Sequence, residues 1–61
     1  MARDILRYFE FEHLPPHLGR ISAKFYELAQ FIDSELPETA ESTTALRKLL
    51  ESKDAAVRAA L

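Results

Sequence analysis

Three basic side chains follow a pair of prolines at a spacing that places them on one side of a helix. His17, Arg20 and Lys24 come after Pro15 and Pro16, and their i, i+3, i+7 spacing predicts a single stripe along the first turns. A helix N-terminus is already electropositive, so anions are favoured there and cations are not. The stripe therefore suits a small anionic ligand, although these residues alone favour the simpler interpretation. The simpler interpretation is that these side chains are solvated or paired with nearby glutamates.

An aromatic cluster precedes this stripe. Tyr8, Phe9 and Phe11 carry flat rings, and aromatic faces beside an electropositive helix start suit a ligand that contains both bases and phosphates. The alternative is that these rings form the core of a small protein. Lys24 is the sharpest candidate for a phosphate contact, because a phosphate between Lys24 and Arg20 would relieve the repulsion of like charges one turn apart.

Composition limits the class of protein. The chain has 61 residues, 48% of them hydrophobic and none of them cysteine. A domain of this size buries only ~60% of its unfolded surface, so we expect self-association to cover the remaining apolar side chains. The net charge of −2 argues against a DNA or RNA polymer as partner. With no apolar run near the ~18 residues of a membrane span and no signal peptide, we expect a soluble intracellular protein.

Motifs for catalysis or metal binding are not found in the sequence. There is no nucleophile motif and no glycine-rich phosphate loop. His13 and His17 are four residues apart, but the two prolines between them break helical spacing and no third ligand is obvious. We therefore expect a binding protein with no catalytic residue, no metal and no cofactor.

The apolar pattern predicts an all-α fold, with residues 1–61 forming a single antiparallel helical hairpin. Residues 1–14 are a short arm, either partly extended over 8–13 or a short helix over 3–9. The first long helix runs from about 16 to 36, because Pro16 suits its first position and Pro37 ends it. The second runs from about 40 to 61, after an N-cap at Thr39 or Ser42. Long helices joined by so short a turn must lie antiparallel.

Four residues of these helices bear on packing. Gly19 marks either a weak point of the first turn or a close approach of backbone or ligand. Tyr26, Phe31 and Leu49 lie partly off the apolar seam between the helices. We expect these three to contact other copies of the chain in a homo-oligomer. The alternative is that the N-terminal arm folds back over them.

The second helix carries a charged stripe of its own. Arg47, Glu51, Asp54 and Arg58 are spaced i, i+4, i+7, i+11, which predicts a solvated ladder of ion pairs. Arg58 stands among alanines near the end of the helix, where other helices can approach closely around a symmetry axis. Several copies of Arg58 would form an anion site at such an axis.

Three stretches of the sequence resemble a family of phage anti-CBASS proteins. They are RYFEFEHLP at 7–15, the pair Leu28-Ala29, and ALRKLLESKDAAVRA at 45–59. Members of the family are small sponges that sequester the cyclic oligonucleotide signals of bacterial immunity, and their helical-hairpin domain is shared with a sponge that inhibits Thoeris defence. The resemblance covers nearly the whole chain, and the stretch 45–59 is its most specific part.

The resemblance implies a homohexamer that acts in immune evasion in the cytoplasm of the infected bacterial host. It implies binding, without cleavage, of cyclic dinucleotides such as 3′,3′-cGAMP in pockets between subunits. The stacking aromatic of the family matches Phe9, which Tyr8 or Phe11 could replace, and its phosphate-binding lysine matches Lys24. In some members a separate site near a threefold axis takes cyclic trinucleotides through an arginine that matches Arg58.

Two other functions stay open at this point. A protein-interaction module would dock on a partner through Tyr26, Phe31 and the second helix, and would have no nucleotide ligand. Hydrolysis of a cyclic nucleotide is less favoured, because the sequence offers neither a metal cluster nor an acid–base pair for it.

Overall fold

The computed structural model describes residues 4–61, and its regular structure is entirely helical. A 3₁₀ helix spans Asp4–Phe9, helix α1 spans Pro16–Glu35 and helix α2 spans Ala40–Ala59. The two long helices pack against each other within an outline of 34 × 18 × 15 Å. No helix among residues 4–61 combines the length and the apolar character needed to cross a membrane. The predicted helical hairpin is confirmed.

Prolines set both ends of α1. Pro16 occupies the first turn, where its missing N–H would have no partner within the helix. Pro15 at the N-cap makes no side-chain hydrogen bond. The helix ends at Glu35 because Leu36 precedes Pro37 and takes an extended conformation, with φ −109° and ψ 143°. The predicted end at about 36 is correct to within a residue.

The start of α2 is held by a reciprocal capping box. The Thr39 side chain accepts a hydrogen bond from the Ser42 backbone N–H at 3.1 Å, and the Ser42 hydroxyl oxygen accepts one from the Thr39 N–H at 2.9 Å. The same Ser42 hydroxyl donates to the Pro37 carbonyl at 2.7 Å. Thr39 is therefore the N-cap, and Ser42 closes the turn that joins the two helices.

All three helices contribute to the core. Phe9 from the 3₁₀ helix, Ala29 from α1 and Leu46 from α2 are each 0% exposed and form one cluster. Further apolar side chains pack partly buried against it: Ile5, Leu6, Phe25, Tyr26, Ile32, Leu49 and Leu50. Phe9 thus docks the N-terminal arm onto the hairpin.

The described part of the arm begins with the 3₁₀ helix Asp4–Phe9, so the expectation of extended backbone over residues 8–13 is wrong. Tyr8 and Phe9 belong to the 3₁₀ helix, and a turn follows in which the Leu14 N–H donates to the Phe11 carbonyl at 3.1 Å. Burial of the Phe9 side chain favours this helical start over a strand that would lack a pairing partner. The alternative of a helix over 3–9 is supported over its described part, and residue 3 lies outside the described residues.

The folded arm also changes which apolar side chains are open to other copies. The Phe11 and Tyr26 rings meet edge to face with centroids 5.5 Å apart, and Leu49 packs against the core cluster. The chain therefore partly covers Tyr26 and Leu49 itself, as the alternative of a folded-back arm predicts, and their contacts with other copies stay a prediction. Phe31 is 59% exposed and stays available.

Gly19 lies where the arm crosses the first turn of α1. A Cβ atom there would stand 3.3 Å from the Phe11 carbonyl oxygen, closer than comfortable van der Waals contact. The close approach of backbone expected at Gly19 is confirmed, and the absence of a side chain lets the turn after the 3₁₀ helix rest on α1.

Candidate functional site

A concavity of about 390 Å³ opens between the arm and the last turns of α2. Its apolar surface comes from Tyr8, Leu14 and Val57. Its charged surface consists of four potentially cationic side chains and two carboxylates: Arg7, His13, Lys53 and Arg58, with Glu10 and Asp54. We call this site the basic concavity, since three arginine or lysine side chains in it face only two acids.

The buried Phe9 side chain positions the side of this concavity that the arm forms. Phe9 points into the core, so its neighbours Tyr8 and Glu10 are left on the outside of the 3₁₀ helix, where both line the concavity. Tyr8 is 53% exposed, which makes it a large aromatic surface open to a ligand. The opposite wall comes from α2 and includes Arg58, a cation in the last turn, where the helix dipole favours it.

The charges along α2 pair differently from the predicted ladder. Lys53 Nζ lies 2.9 Å from Asp54 Oδ1, and the Lys53 side chain is only 12% exposed. Glu51 pairs with Lys48, at 3.9 Å on the surface. The predicted ladder is therefore wrong, because neighbouring lysines take both carboxylates. Arg58 has no ion-pair partner among residues 4–61.

Arg7 and Tyr8 form a contact at the rim of the basic concavity. Arg7 Nη2 donates a hydrogen bond to the Tyr8 hydroxyl oxygen at 3.0 Å, and Arg7 Cζ lies over the Tyr8 ring, 5.0 Å from its centroid. This hydrogen bond, with smaller contributions from the charges of Asp4 and Glu10, raises the pKa of the Arg7 guanidinium above its usual value. Arg7 is thus a fixed positive charge beside an open aromatic ring.

Phe9 cannot serve as the stacking aromatic in this conformation. Its side chain is 0% exposed and lies in the core, so no face of the ring is open to a base. Phe11, the second replacement, is partly buried against Tyr26. Tyr8 is the aromatic that both lines the basic concavity and exposes most of its surface. Of the three aromatic candidates, Tyr8 is therefore the one whose ring is open in the basic concavity.

Arg20 and Lys24 lie elsewhere on the molecule. Lys24 lies five residues before the buried Ala29, which is about 140° around a helix that turns ~100° per residue. The basic side chains of α1 are exposed, do not line the basic concavity and form no ion pair with any of residues 4–61. We call His17, Arg20 and Lys24 the α1 stripe. The α1 stripe and Tyr8 therefore do not line the same concavity.

Sequence reasoning did not single out Arg7 or Lys53 as candidates, and it considered His13 only as a metal ligand. A signal for them existed, because all three fall in the stretches 7–15 and 45–59 that carry the resemblance. The structure brings these two stretches together as the walls of one concavity. Their meeting depends on the arm folding back, which residue spacing alone does not reveal.

The described residues offer little for a metal ion. Among residues 4–61 no group of three or more histidine, cysteine, aspartate or glutamate side chains gathers into a potential metal site. What the basic concavity can do chemically is bind an anion that also presents a flat surface, with guanidinium groups for the charge and Tyr8 for the flat surface. Comparison of the chain with protein-family models, with curated proteins and with solved structures finds no match.

Proposed function

We propose that this chain is a non-enzymatic sponge that binds and sequesters cyclic dinucleotides, such as 3′,3′-cGAMP, and so blocks CBASS anti-phage defence. The observation that carries the proposal is that the exposed Tyr8 ring and the Arg58 guanidinium line one concavity. Its volume of about 390 Å³ falls within the ~300–1,000 Å³ typical of small-molecule sites. The resemblance in stretches 7–15 and 45–59 supplies the class of ligand.

The base and the phosphate of a nucleotide each have a matching group in the basic concavity. A base can stack on the open face of Tyr8, a contact worth ~1–3 kcal/mol. A phosphate can accept two parallel hydrogen bonds from the guanidinium of Arg58, which forms no ion pair with any of residues 4–61. The net charge of the chain is −2, so this local excess of cations supports a small anion rather than a nucleic-acid polymer.

The proposal includes a homohexamer, as the resemblance implies. Lys24 and Arg20 do not line the basic concavity, so we propose that a ligand that touches both Tyr8 and Lys24 bridges two copies of the chain. Leu28 and Phe31, 46% and 59% exposed on α1, offer apolar surface for such assembly. The resemblance assigns Arg58 to a cyclic trinucleotide site near a threefold axis, and we include this ligand as a second candidate.

Sequestration requires affinity and copy number, and no chemical step. The protein would act in the cytoplasm of the infected bacterial host by lowering the free concentration of the signal before an effector binds it. This mode of action supports the expectation that bound ligand is released unchanged.

Calorimetric titration with 3′,3′-cGAMP, followed by chromatography of the ligand released on heating, tests the proposal. Tight binding and intact ligand are expected, and Tyr8→Ala and Lys24→Ala should each abolish tight binding while leaving the helical circular dichroism unchanged. Arg47→Gln is the matched control, because Arg47 is exposed on α2 outside the basic concavity. Absence of binding to both 3′,3′-cGAMP and cyclic trinucleotides would overturn the sponge.

The second candidate function is a protein-interaction module. The exposed Phe31 and Leu28 favour it, since large apolar side chains on a convex helix face suit a protein partner as well as a second copy. It predicts a monomer or dimer with no nucleotide affinity. Size-exclusion chromatography with light scattering separates the two functions, because a hexamer favours the sponge.

A further inference from the structure

Among the cations of the basic concavity, Arg7 is hydrogen-bonded to a tyrosine hydroxyl and is not paired with a carboxylate of residues 4–61. The Tyr8 hydroxyl oxygen accepts a hydrogen bond from Arg7 Nη2 at 3.0 Å. A guanidinium has five N–H donors, so this bond leaves most of them available. No carboxylate forms an ion pair with Arg7 among residues 4–61.

Lys53 provides the contrast within the same concavity. Its ammonium group lies 2.9 Å from the Asp54 carboxylate, and the side chain is largely buried. The charge of Lys53 is therefore compensated before any ligand arrives. Arg7 and Arg58 are not compensated in this way, and they approach the concavity from opposite walls, one from the arm and one from the end of α2.

We infer that Arg7 is a phosphate-binding residue that works with Arg58 as a two-point clamp, and that the Tyr8 hydroxyl positions Arg7. The two guanidinium groups would each take one phosphate of a ligand that carries two. The Tyr8 ring is the stacking surface, whereas its hydroxyl acts on the ligand only through Arg7. The inference deepens the proposed function and rests on it for the identity of the nucleotide.

The physical reason for a positioning role is the flexibility of arginine. An exposed arginine samples many rotamers, and ordering it on binding lowers affinity. A hydrogen bond to the neighbouring phenol holds the guanidinium at the rim before the ligand arrives. Tyr8→Phe removes this acceptor and keeps the aromatic face, so it separates the two roles of the residue.

A double-mutant cycle tests this assignment, with Arg7→Gln, Tyr8→Phe and the double variant titrated with 3′,3′-cGAMP. Arg7→Gln is expected to weaken binding about tenfold, as for loss of a charge-assisted hydrogen bond. Tyr8→Phe should weaken binding about threefold in the wild-type background and not at all when Arg7 is already glutamine. Arg47→Gln, which removes the same charge outside the concavity, should bind as the wild type does.

Three results of the cycle would overturn the assignment. An equal effect of Tyr8→Phe in both backgrounds would mean that the hydroxyl contacts the ligand directly. Unchanged affinity of Arg7→Gln would make Arg7 a bystander. Tighter binding by Arg7→Gln would mean that the guanidinium shields the Tyr8 ring from the base. Since Arg7 and Tyr8 are exposed, these variants should fold, which circular dichroism verifies.

Inorganic pyrophosphate, which has two phosphate groups and no base, separates failure of the clamp from failure of the sponge. In the wild-type protein, pyrophosphate should shift the Nε–Hε NMR signals of both Arg7 and Arg58 more than that of Arg47. If these shifts occur and 3′,3′-cGAMP does not bind, the clamp stands and the cyclic dinucleotide proposal fails. If 3′,3′-cGAMP binds while pyrophosphate leaves the Arg7 signal in place, the sponge stands and the clamp is overturned.

Discussion

The two basic surfaces of this molecule arise in different ways. The α1 stripe comes from one helix, so residue spacing alone determines it, and its side chains project from a convex face into solvent. The basic concavity comes from residues 7–14 and 53–58, at opposite ends of the chain, which meet because the arm folds back onto α2. Cations on a convex face are screened by water and salt, whereas cations in a concavity can surround a ligand.

The difference makes the basic concavity dependent on docking of the arm, whereas the α1 stripe requires only that α1 is helical. Phe9 anchors the arm, so the concavity exists only while Phe9 is docked. The stripe exists whenever α1 is helical. Breaking the core and the assembly should therefore separate the two surfaces, whereas changes to the helix cap and to the interior polar group should leave both surfaces in place.

The largest effect is expected from Phe9→Ala, which removes a fully buried ring. Phenylalanine-to-alanine changes in a core lower the free energy of unfolding by about 3–5 kcal/mol, which is comparable to the whole stability of a domain this small. Urea denaturation followed by circular dichroism measures the change. Phe31→Ala is the matched control, since Phe31 is 59% exposed and its loss should change stability by no more than about 0.5 kcal/mol. Equal effects of the two variants would contradict the placement of Phe9.

Lys24→Ala tests whether Lys24 contacts only a ligand that is bound in the basic concavity of a second copy of the chain. In the assembled protein it is expected to weaken 3′,3′-cGAMP binding by at least tenfold, as for loss of a charged hydrogen-bond donor. At concentrations at which the chains dissociate, the variant and the wild type should bind equally weakly, because one chain does not bring Lys24 to the concavity. Titrations at two protein concentrations, with light scattering to report assembly, measure this. An effect of Lys24→Ala on the dissociated chain would refute the separation of the two surfaces.

Thr39→Ala should lower stability without altering either surface. Loss of the N-cap of α2 is expected to reduce the free energy of unfolding by about 1 kcal/mol, because the Ser42 N–H loses its acceptor. Thermal denaturation measures the change, and Thr43→Ala provides a control on the same helix, outside the capping box. Ligand affinity should match that of the wild type. A loss of affinity equal to that of Lys24→Ala would mean that the turn contributes to the site.

The smallest effect is expected from Ser22→Ala, and it should be stabilising. Ser22 is 0% exposed on the packed face of α1, and its hydroxyl has no hydrogen-bond partner among residues 4–61. Removing an unsatisfied buried hydroxyl, at a position where alanine also has the higher helix propensity, should raise the free energy of unfolding by roughly 0.5–1 kcal/mol. Urea denaturation reports the sign. A decrease would indicate that the hydroxyl is solvated or bonded in solution.

Local signals in the sequence were sufficient for the two long helices. Pro16 and Pro37 bracket α1, and Thr39 caps α2, because proline geometry and capping act within a few residues. Gly19 likewise identified a close approach of backbone, although its partner, the Phe11 carbonyl, was not predictable from spacing.

Burial and ion pairing were harder to predict from the sequence where they depend on contacts between distant parts of the chain or on rotamers. Phe9 and Tyr8 are adjacent aromatic residues, and only docking of the arm decides that one is buried and the other open. Arg58 was expected to take part in an ion-pair ladder, yet Asp54 pairs with Lys53, its immediate neighbour in the chain. Helical periodicity indicates which side chains share a face, but rotamers and competing partners decide which of them pair.

The Ser42 hydroxyl has a consequence for the order in which the molecule assembles. Its bonds to Pro37 and Thr39 span only a few residues, and loops of about ten residues close within ~10–100 ns. Phe9 must instead reach Leu46 from the far end of the chain, at a higher cost in loop-closure entropy. The arm should therefore dock after the turn between the helices has formed, and amide hydrogen exchange should be faster in Asp4–Phe9 than at the start of α2. A ligand that binds both the arm and the end of α2 would hold the arm in place and slow amide hydrogen exchange in Asp4–Phe9.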